Sequence, residues 1–347
     1  MASPELQGAQ GAQGAQGAQG AQSVTVPRRM RAAVITAPLT CEIRTVDTPA
    51  PAADQVLIRV EGSGVCGSSL PRWEGRPWFS YPAPPGSPGH EGWGRVVARG
   101  CDVERLEVGD RVAFLSDHAF AEYDVTAESS ALILPGGLDR QDIPGEALGC
   151  AMNIFRRSAV EPDHTVAVIG IGFLGALVTQ LAVAAGARVI AVSQRPYSLA
   201  LARRAGAAEA IPLGDDDTPI VRRIEQLTGG EGCDRVIELV GLQRPLDLAG
   251  KLCKVRGRLV IGGFHQDGPR QIDMFLWNWR GLDVINAHER DPAAYVAGIA
   301  AAVDAVSSGR LHPMPLYTHR VPLARAGEAF ELSRVRPEGF VKALVTP

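Results

Sequence analysis

At 347 residues the chain exceeds one small domain and is long enough for two. Its 46% hydrophobic and 21% charged residues give a soluble globular profile, and a net charge of −3 leaves no basic footprint for nucleic acid or an anionic membrane. No apolar run reaches the length of a membrane span, no N-terminal stretch has a secretory layout, and six scattered cysteines lack any Cys-x-x-Cys, so a cytoplasmic protein without a disulfide framework is expected.

Residues Gly8 to Gln22 are Gly-Ala-Gln triplets that cannot bury a core, and residues 1–27 are expected to be a disordered, low-complexity extension. From Met30 the chain reads as short strands with Gly/Pro punctuation: Met30 to Ile35, Cys41 to Thr45, Val56 to Val60, Gly94 to Ala98 and Arg111 to Phe114. Val108-Gly109-Asp110 marks the turn between the last two. This pattern suits a small barrel-like β domain. Near His164 strand begins to alternate with helix. Strands at Val166 to Gly170, Arg188 to Val192, Ala208 to Ile211, Arg235 to Leu239, Arg258 to Ile261 and Leu282 to Asn286 are separated by helical patterns. That spacing predicts βαβ units and a parallel sheet.

Two stretches in the β-rich part carry metal-ligand types. Gly64-Val65-Cys66-Gly67-Ser68-Ser69 holds a thiol, and Pro88-Gly89-His90-Glu91-Gly92 holds an imidazole beside a carboxylate. Zinc favours a thiolate and an imidazole together, given a third ligand. Taken alone, a Cys and a His this far apart equally fit a structural thiol and an unrelated His. Further on, Gly170-Ile171-Gly172-Phe173-Leu174-Gly175 follows a predicted strand and opens a predicted helix, the context a dinucleotide fingerprint requires. Gly170 allows the tight turn, Gly172 the approach of a pyrophosphate, and Gly175 close helix–strand packing. An NAD site usually ends its second strand with an acid for the ribose hydroxyls, but Ala191-Val192-Ser193-Gln194-Arg195-Pro196 has none. Ser193 leaves room for a 2′-phosphate and Arg195 can pair with it, so NADP is expected, with NAD possible. The plainer alternative is a solvated Arg195.

With these parts in this order, the chain resembles the zinc-dependent medium-chain alcohol dehydrogenase superfamily from about residue 30 onward. The motifs GVCGSS, GHEGWG, VGDRV and GIGFLG carry the likeness, and GRPWFSYP and FHQDGPR narrow it to a branch related to sorbitol and threonine dehydrogenases. The resemblance implies an α/β fold, a Rossmann doubly wound parallel sheet inserted into a β-rich GroES-like catalytic domain. Residues 28–157 and 287–347 would form the catalytic domain and 158–286 the dinucleotide-binding domain. It also implies a homo-oligomer, dimer or tetramer, acting on a small-molecule substrate.

Carried over by residue, Cys66 and His90 would bind one catalytic zinc, with Glu91 a direct or exchangeable ligand. Glu146 and Cys150 compete for the third fixed position, and aligning Asn153 to Arg157 favours Glu146. Ser68, two residues after Cys66, would relay the proton. The chain departs from the family in lacking the four-cysteine lobe of a second zinc, in Ser69 where Asp is frequent, and in Pro71 where some relatives carry a relay His. The implied reaction interconverts a secondary alcohol of polyol, sugar or cyclitol type and a ketone with NADP(H). A zinc-free quinone or enoyl reductase of the same superfamily and a non-catalytic NADP-binding protein are the alternatives. Trp73, Trp78, Phe79 and Tyr81 suit either a substrate wall or packing.

Overall fold

Thr165–Ile169 is a short run of β-branched and small apolar residues, and all but its first side chain are buried. Such a strand is covered on both faces, which is the requirement of a central strand in a parallel sheet. The computed structural model describes residues 25–347, and most of the extension expected over residues 1–27 lies outside them.

The N-terminal part runs through β1 (Arg29–Ala37), β2 (Thr40–Asp47), β3 (Gln55–Gly64), α1 (Leu70–Glu74), β4 (Glu91–Arg99), β5 (Arg111–Phe114), β6 (Tyr123–Ala127), β7 (Ala131–Ile133) and α2 (Gly145–Ser158). The alternating part follows with β8 (Thr165–Ile169), α3 (Phe173–Ala184), β9 (Arg188–Ser193), α4 (Pro196–Arg204), β10 (Glu209–Pro212), α5 (Thr218–Thr228), β11 (Cys233–Glu238), α6 (Gln243–Leu252), β12 (Cys253–Ile261), α7 (Met274–Arg280) and β13 (Asp283–Asn286). The chain then returns through α8 (Pro292–Ser307), β14 (Tyr317–Pro322), α9 (Ala326–Val335) and β15 (Lys342–Thr346).

The six parallel strands stand in the order β10-β9-β8-β11-β12-β13. This is the doubly wound order, whose reversal between β8 and β11 opens a crevice at the carboxyl ends of the strands. A seven-stranded sheet has the path β14-β15-β3-β4-β5-β7, with β6 paired to β3. Its strands come from both sides of the parallel sheet in sequence, so the expected α/β fold class holds. A short connection joins β5 to β6, tied by Ser116 Oγ donating to Asp124 Oδ2 at 2.5 Å.

Helix ends follow local chemistry. Asp273 caps α7 by accepting from Leu276 N at 2.9 Å, and Asp291 caps α8 by accepting from Ala293 N at 2.9 Å ahead of Pro292. The returning segment is held by an aromatic stack. Phe330 of α9 stacks on Trp73 with centroids 5.3 Å apart and meets Phe120 edge-on at 5.2 Å. Trp73 is therefore a packing residue, whereas Trp78 is exposed.

Phe330→Ala should remove the joint between the returning segment and the N-terminal strands. The expected loss is about 3–5 kcal/mol, read as a lower denaturant midpoint at an unchanged slope.

Candidate active site

Cys66 and His90 are far apart in sequence, yet strand register brings them together. β3 and β4 pair antiparallel with Gly64 opposite Glu91, so the residues just beyond β3 meet those that open β4. The backbone turns immediately after Cys66, where Ser69 N donates to Cys66 O at 3.1 Å. One ligand atom each from Cys66, His90 and Glu91 lies within 4.8 Å of the others, the one such group that emerges among the described residues.

The imidazole is oriented from behind. His90 Nδ1 lies 3.0 Å from the Pro88 carbonyl, which can only accept, so Nδ1 carries the proton and Nε2 faces the cluster. Ser68 Oγ lies 3.4 Å from Nε2. Burial alone would depress His90, but the Cys66 thiol, then the Glu146 and Glu91 carboxylates, outweigh it and push it up to about 10. A cation is thus favoured where these donors converge. That donor set fits zinc.

Glu146 lies outside the 4.8 Å group but near enough to act on His90. It opens α2, and burial raises its carboxyl, with His90 the largest opposing influence. Cys150, one turn further on, donates its S–H to Glu146 Oε1 at 3.1 Å. The two candidates for the third ligand face the same way, as their spacing on a helix requires. Burial, then the Glu146 charge, raises the Cys150 thiol well above its usual value. Cys150 also lines a cleft with Asn153, Leu174, Gly262, His288 and Tyr295. Ser69 Oγ is buried without a partner.

Lys342, which sequence reasoning missed, is the counter-ion of this site. Its Nζ lies 2.6 Å from Glu91 Oε1 and 2.5 Å from Oε2, with both side chains almost fully buried. Gly64 makes room for the pair, since a Cβ there would overlap Glu91 Oε2 and come within 2.9 Å of Lys342 Cε. The available signal was a single cation in the otherwise apolar stretch Phe340-Val341-Lys342-Ala343-Leu344-Val345. Lys342 Nζ also stands 4.9 Å from the Phe173 ring, which stacks on Tyr317 at 5.8 Å.

Phe173 belongs to the glycine loop. Gly170 adopts a φ of +96°, which disfavours other residues, and its missing Cβ leaves space for Val240. A Cβ on Gly175 would strike the Gly170 carbonyl, whereas Gly172 faces open space. Gly172 is the N-cap of the twelve-residue α3, and no side chain caps its first turn. The loop, with Phe173 and Leu174, therefore presents helix N–H groups to an anion, which fits a dinucleotide. Ser193 ends β9 in a buried position, and Arg195 stands at the N-cap of α4.

Lys342→Met should leave the Glu91 carboxylate buried and unpaired, at a cost of about 3–5 kcal/mol. Glu91→Gln combined with Lys342→Met should recover most of that loss in a denaturant titration. Equal destabilisation by the single and double variants would show that the lysine stem, rather than the ion pair, carries the effect.

Comparison with known proteins agrees with this geometry. The family model for the alcohol dehydrogenase GroES-like domain matches residues 52–193, and that for the zinc-binding dehydrogenase matches residues 174–303. The chain is 26% identical to a sorbitol dehydrogenase of Bacillus subtilis (strain 168), covering 93% of this chain and 99% of that protein. It is 24% identical to a D-arabitol-phosphate dehydrogenase of Enterococcus avium, covering 88% of this chain and 94% of that protein. A solved zinc-binding dehydrogenase of Sinorhizobium meliloti 1021, bound to NADP, superposes with a TM-score of 0.79 at 27% identity, covering 92% and 99% of the two chains. No helix among the described residues is long and apolar enough to cross a membrane. The chain belongs to the zinc-type, medium-chain alcohol dehydrogenase superfamily and is an oxidoreductase.

Proposed function

We propose that the chain interconverts a secondary alcohol of polyol or sugar type and its ketone, using NADP(H) and one zinc held by Cys66, His90 and Glu146. The observation that carries this reading is the convergence of Cys66, His90 and Glu91 beside an oriented imidazole. A zinc-free reductase would leave that donor set without a task. The named polyol and polyol-phosphate relatives support the substrate class.

Bound there, zinc supplies Lewis acidity to the substrate oxygen. The chain's own residues do the rest. The Pro88 carbonyl holds the His90 ring, and Cys150 holds one oxygen of Glu146. Glu91, neutralised by Lys342, is the exchangeable ligand. Ser68 relays the proton that the alcohol gives up, its Oγ accepting that proton as its own hydroxyl proton passes outward to water. The glycine loop and the α3 N-terminus hold the diphosphate, Ser193 and Arg195 hold the 2′-phosphate, and the cleft beside Cys150 takes the reacting groups. In this reading residues 28–157 and 287–347 form the catalytic domain and 158–286 the nucleotide domain. The expected homo-oligomer draws support from Phe275 and Trp279, which stack on each other while 79% and 78% exposed.

Elemental analysis of desalted protein should give about one zinc per chain. Glu146→Ala should lose zinc and activity together, while Cys150→Ala keeps the metal. The reverse pattern would make Cys150 the third ligand, and no zinc in the unmodified protein would remove the proposed chemistry.

The cofactor preference has its own test. Arg195→Ala should weaken NADPH binding by about 1.5–3 kcal/mol and barely change NADH binding. Ser193→Asp should shift preference towards NADH, because a carboxylate repels the phosphate and accepts from the ribose hydroxyls. Equal affinity of the unmodified protein for the two cofactors would leave Arg195 without a phosphate to bind.

A further inference from the structure

Two helices that flank the parallel sheet in sequence, α2 and α8, cross closely beside the metal-ligand types, and three glycines set their distance. A Cβ on Gly145 or Gly149 of α2 would come within 3.0 Å or 2.9 Å of Ile299 on α8, and one on Gly298 of α8 would strike the Asn153 amide. The first turn of α8 is pinned as well. Tyr295 N donates to Asp291 O at 3.0 Å, and Asn153 Nδ2 of α2 donates to Ala294 O at 3.3 Å. Backbones this close carry Tyr295 to the side of α2 that bears Glu146 and Cys150.

Tyr295 lines the cleft beside Cys150. Its O–H donates to Cys150 Sγ, whose S–H donates in turn to Glu146 Oε1 at 3.1 Å. Every proton in that row points towards the carboxylate, which leaves the Tyr295 oxygen at the open end as an acceptor. Burial, then Cys150 and Glu146, raises the phenol above its usual value, so it serves as a hydrogen-bonding group rather than as a base. Other polar groups of the cleft are engaged. His288 Nε2 donates to Gly263 O at 3.2 Å, and Glu289 Oε1 accepts from Arg290 N at 2.7 Å and from Asp291 N at 3.0 Å. Ile154, Leu174 and Ala287 add apolar lining. A mostly apolar cleft with few placed polar groups orients a small ligand through those groups.

We propose that the Tyr295 oxygen accepts a hydrogen bond from the hydroxyl on the carbon next to the reacting carbinol, so that the chain selects vicinal diols over isolated secondary alcohols. This rests on the secondary-alcohol reading above and narrows its substrate class. Glu146 belongs to the proposed donor set and Tyr295 stands one thiol away from it. A substrate whose reacting oxygen sits at that set therefore brings its neighbouring carbon beside the phenol. An alcohol without the second hydroxyl loses that bond and leaves the acceptor unpaired in a closed complex, and both effects disfavour it.

Calorimetric titration of the NADPH complex with butane-2,3-diol and with butan-2-ol tests this where no hydride can move, because the two differ only in the neighbouring hydroxyl. The unmodified chain should bind the diol about tenfold more tightly. Tyr295→Phe keeps the ring and removes only the oxygen. It should erase most of that preference while zinc content stays unchanged by elemental analysis, and the ratio of kcat/KM for the two alcohols should fall in parallel. A variant that loses affinity for both alcohols alike, or that loses zinc, would make Tyr295 a packing or metal-holding residue and overturn the proposal. If the unmodified chain binds and oxidises both alcohols without preference, the proposal falls and the secondary-alcohol reading stands. If it binds and oxidises neither, that reading falls and the proposal falls with it.

Discussion

The buried pair of Glu91 and Lys342 is the constraint on which the site depends. It joins β4 to β15 across Gly64 of the intervening β3, so three strands must be in register before the charges can meet. Two almost fully buried charges are costly when separated and tolerable only when held together. The glycine between them is part of the same arrangement, because any side chain there would occupy the space of the carboxylate. With the register fixed, Cys66 and His90 fall beside each other as a consequence of strand pairing rather than of their own interaction.

The chain also shows how a satisfied guanidinium differs from an incomplete one. Arg111 is buried and gives every nitrogen a partner: Nε to Glu61 Oε2 at 2.6 Å, Nη1 to Leu138 O at 2.8 Å and Nη2 to Gln141 O at 2.8 Å. It clasps the connection after β7 and leaves nothing for a ligand. Arg195 lies at the carboxyl end of the parallel sheet and satisfies one terminal nitrogen only. Buried donors in folded proteins are normally paired, and Arg195 Nη1 is not.

Much of the fold was legible because it is written in local patterns. The strands from Thr165 to Asn286 follow the alternation of apolar runs and helical periods, although β12 begins five residues earlier than Arg258 and α7 was not foreseen between the last two strands. The glycine loop was legible for the same reason, since strand, turn and helix are contiguous. The returning segment was not. α8, α9, β14 and β15 pair or pack with elements far away in sequence, and no local pattern states which strand Lys342 will join. Among the aromatic residues after α1, spacing left packing and pocket roles open, and it took the stack on Phe330 to assign Trp73 to packing. The hydrogen bond between Cys150 and Glu146 was foreshadowed by helical spacing, but its direction depended on burial that only the tertiary structure defines.

The same topology sets an order of assembly. Within the parallel sheet, Thr165 pairs with Arg188, a separation of 188 − 165 = 23 positions, whereas Leu344 pairs with Gly64 across 344 − 64 = 280. Closing the longer loop from an open chain costs about 2 kcal/mol more in entropy, and contacts so distant form slowly. A nucleotide sheet that folds first shortens the effective loop by drawing its two flanking segments together. The three-strand junction, and with it the donor set, is then the last part to form. During that interval the Cys66 thiol is unprotected by its eventual neighbours, so the zinc site proposed above would call for a reducing environment while it assembles.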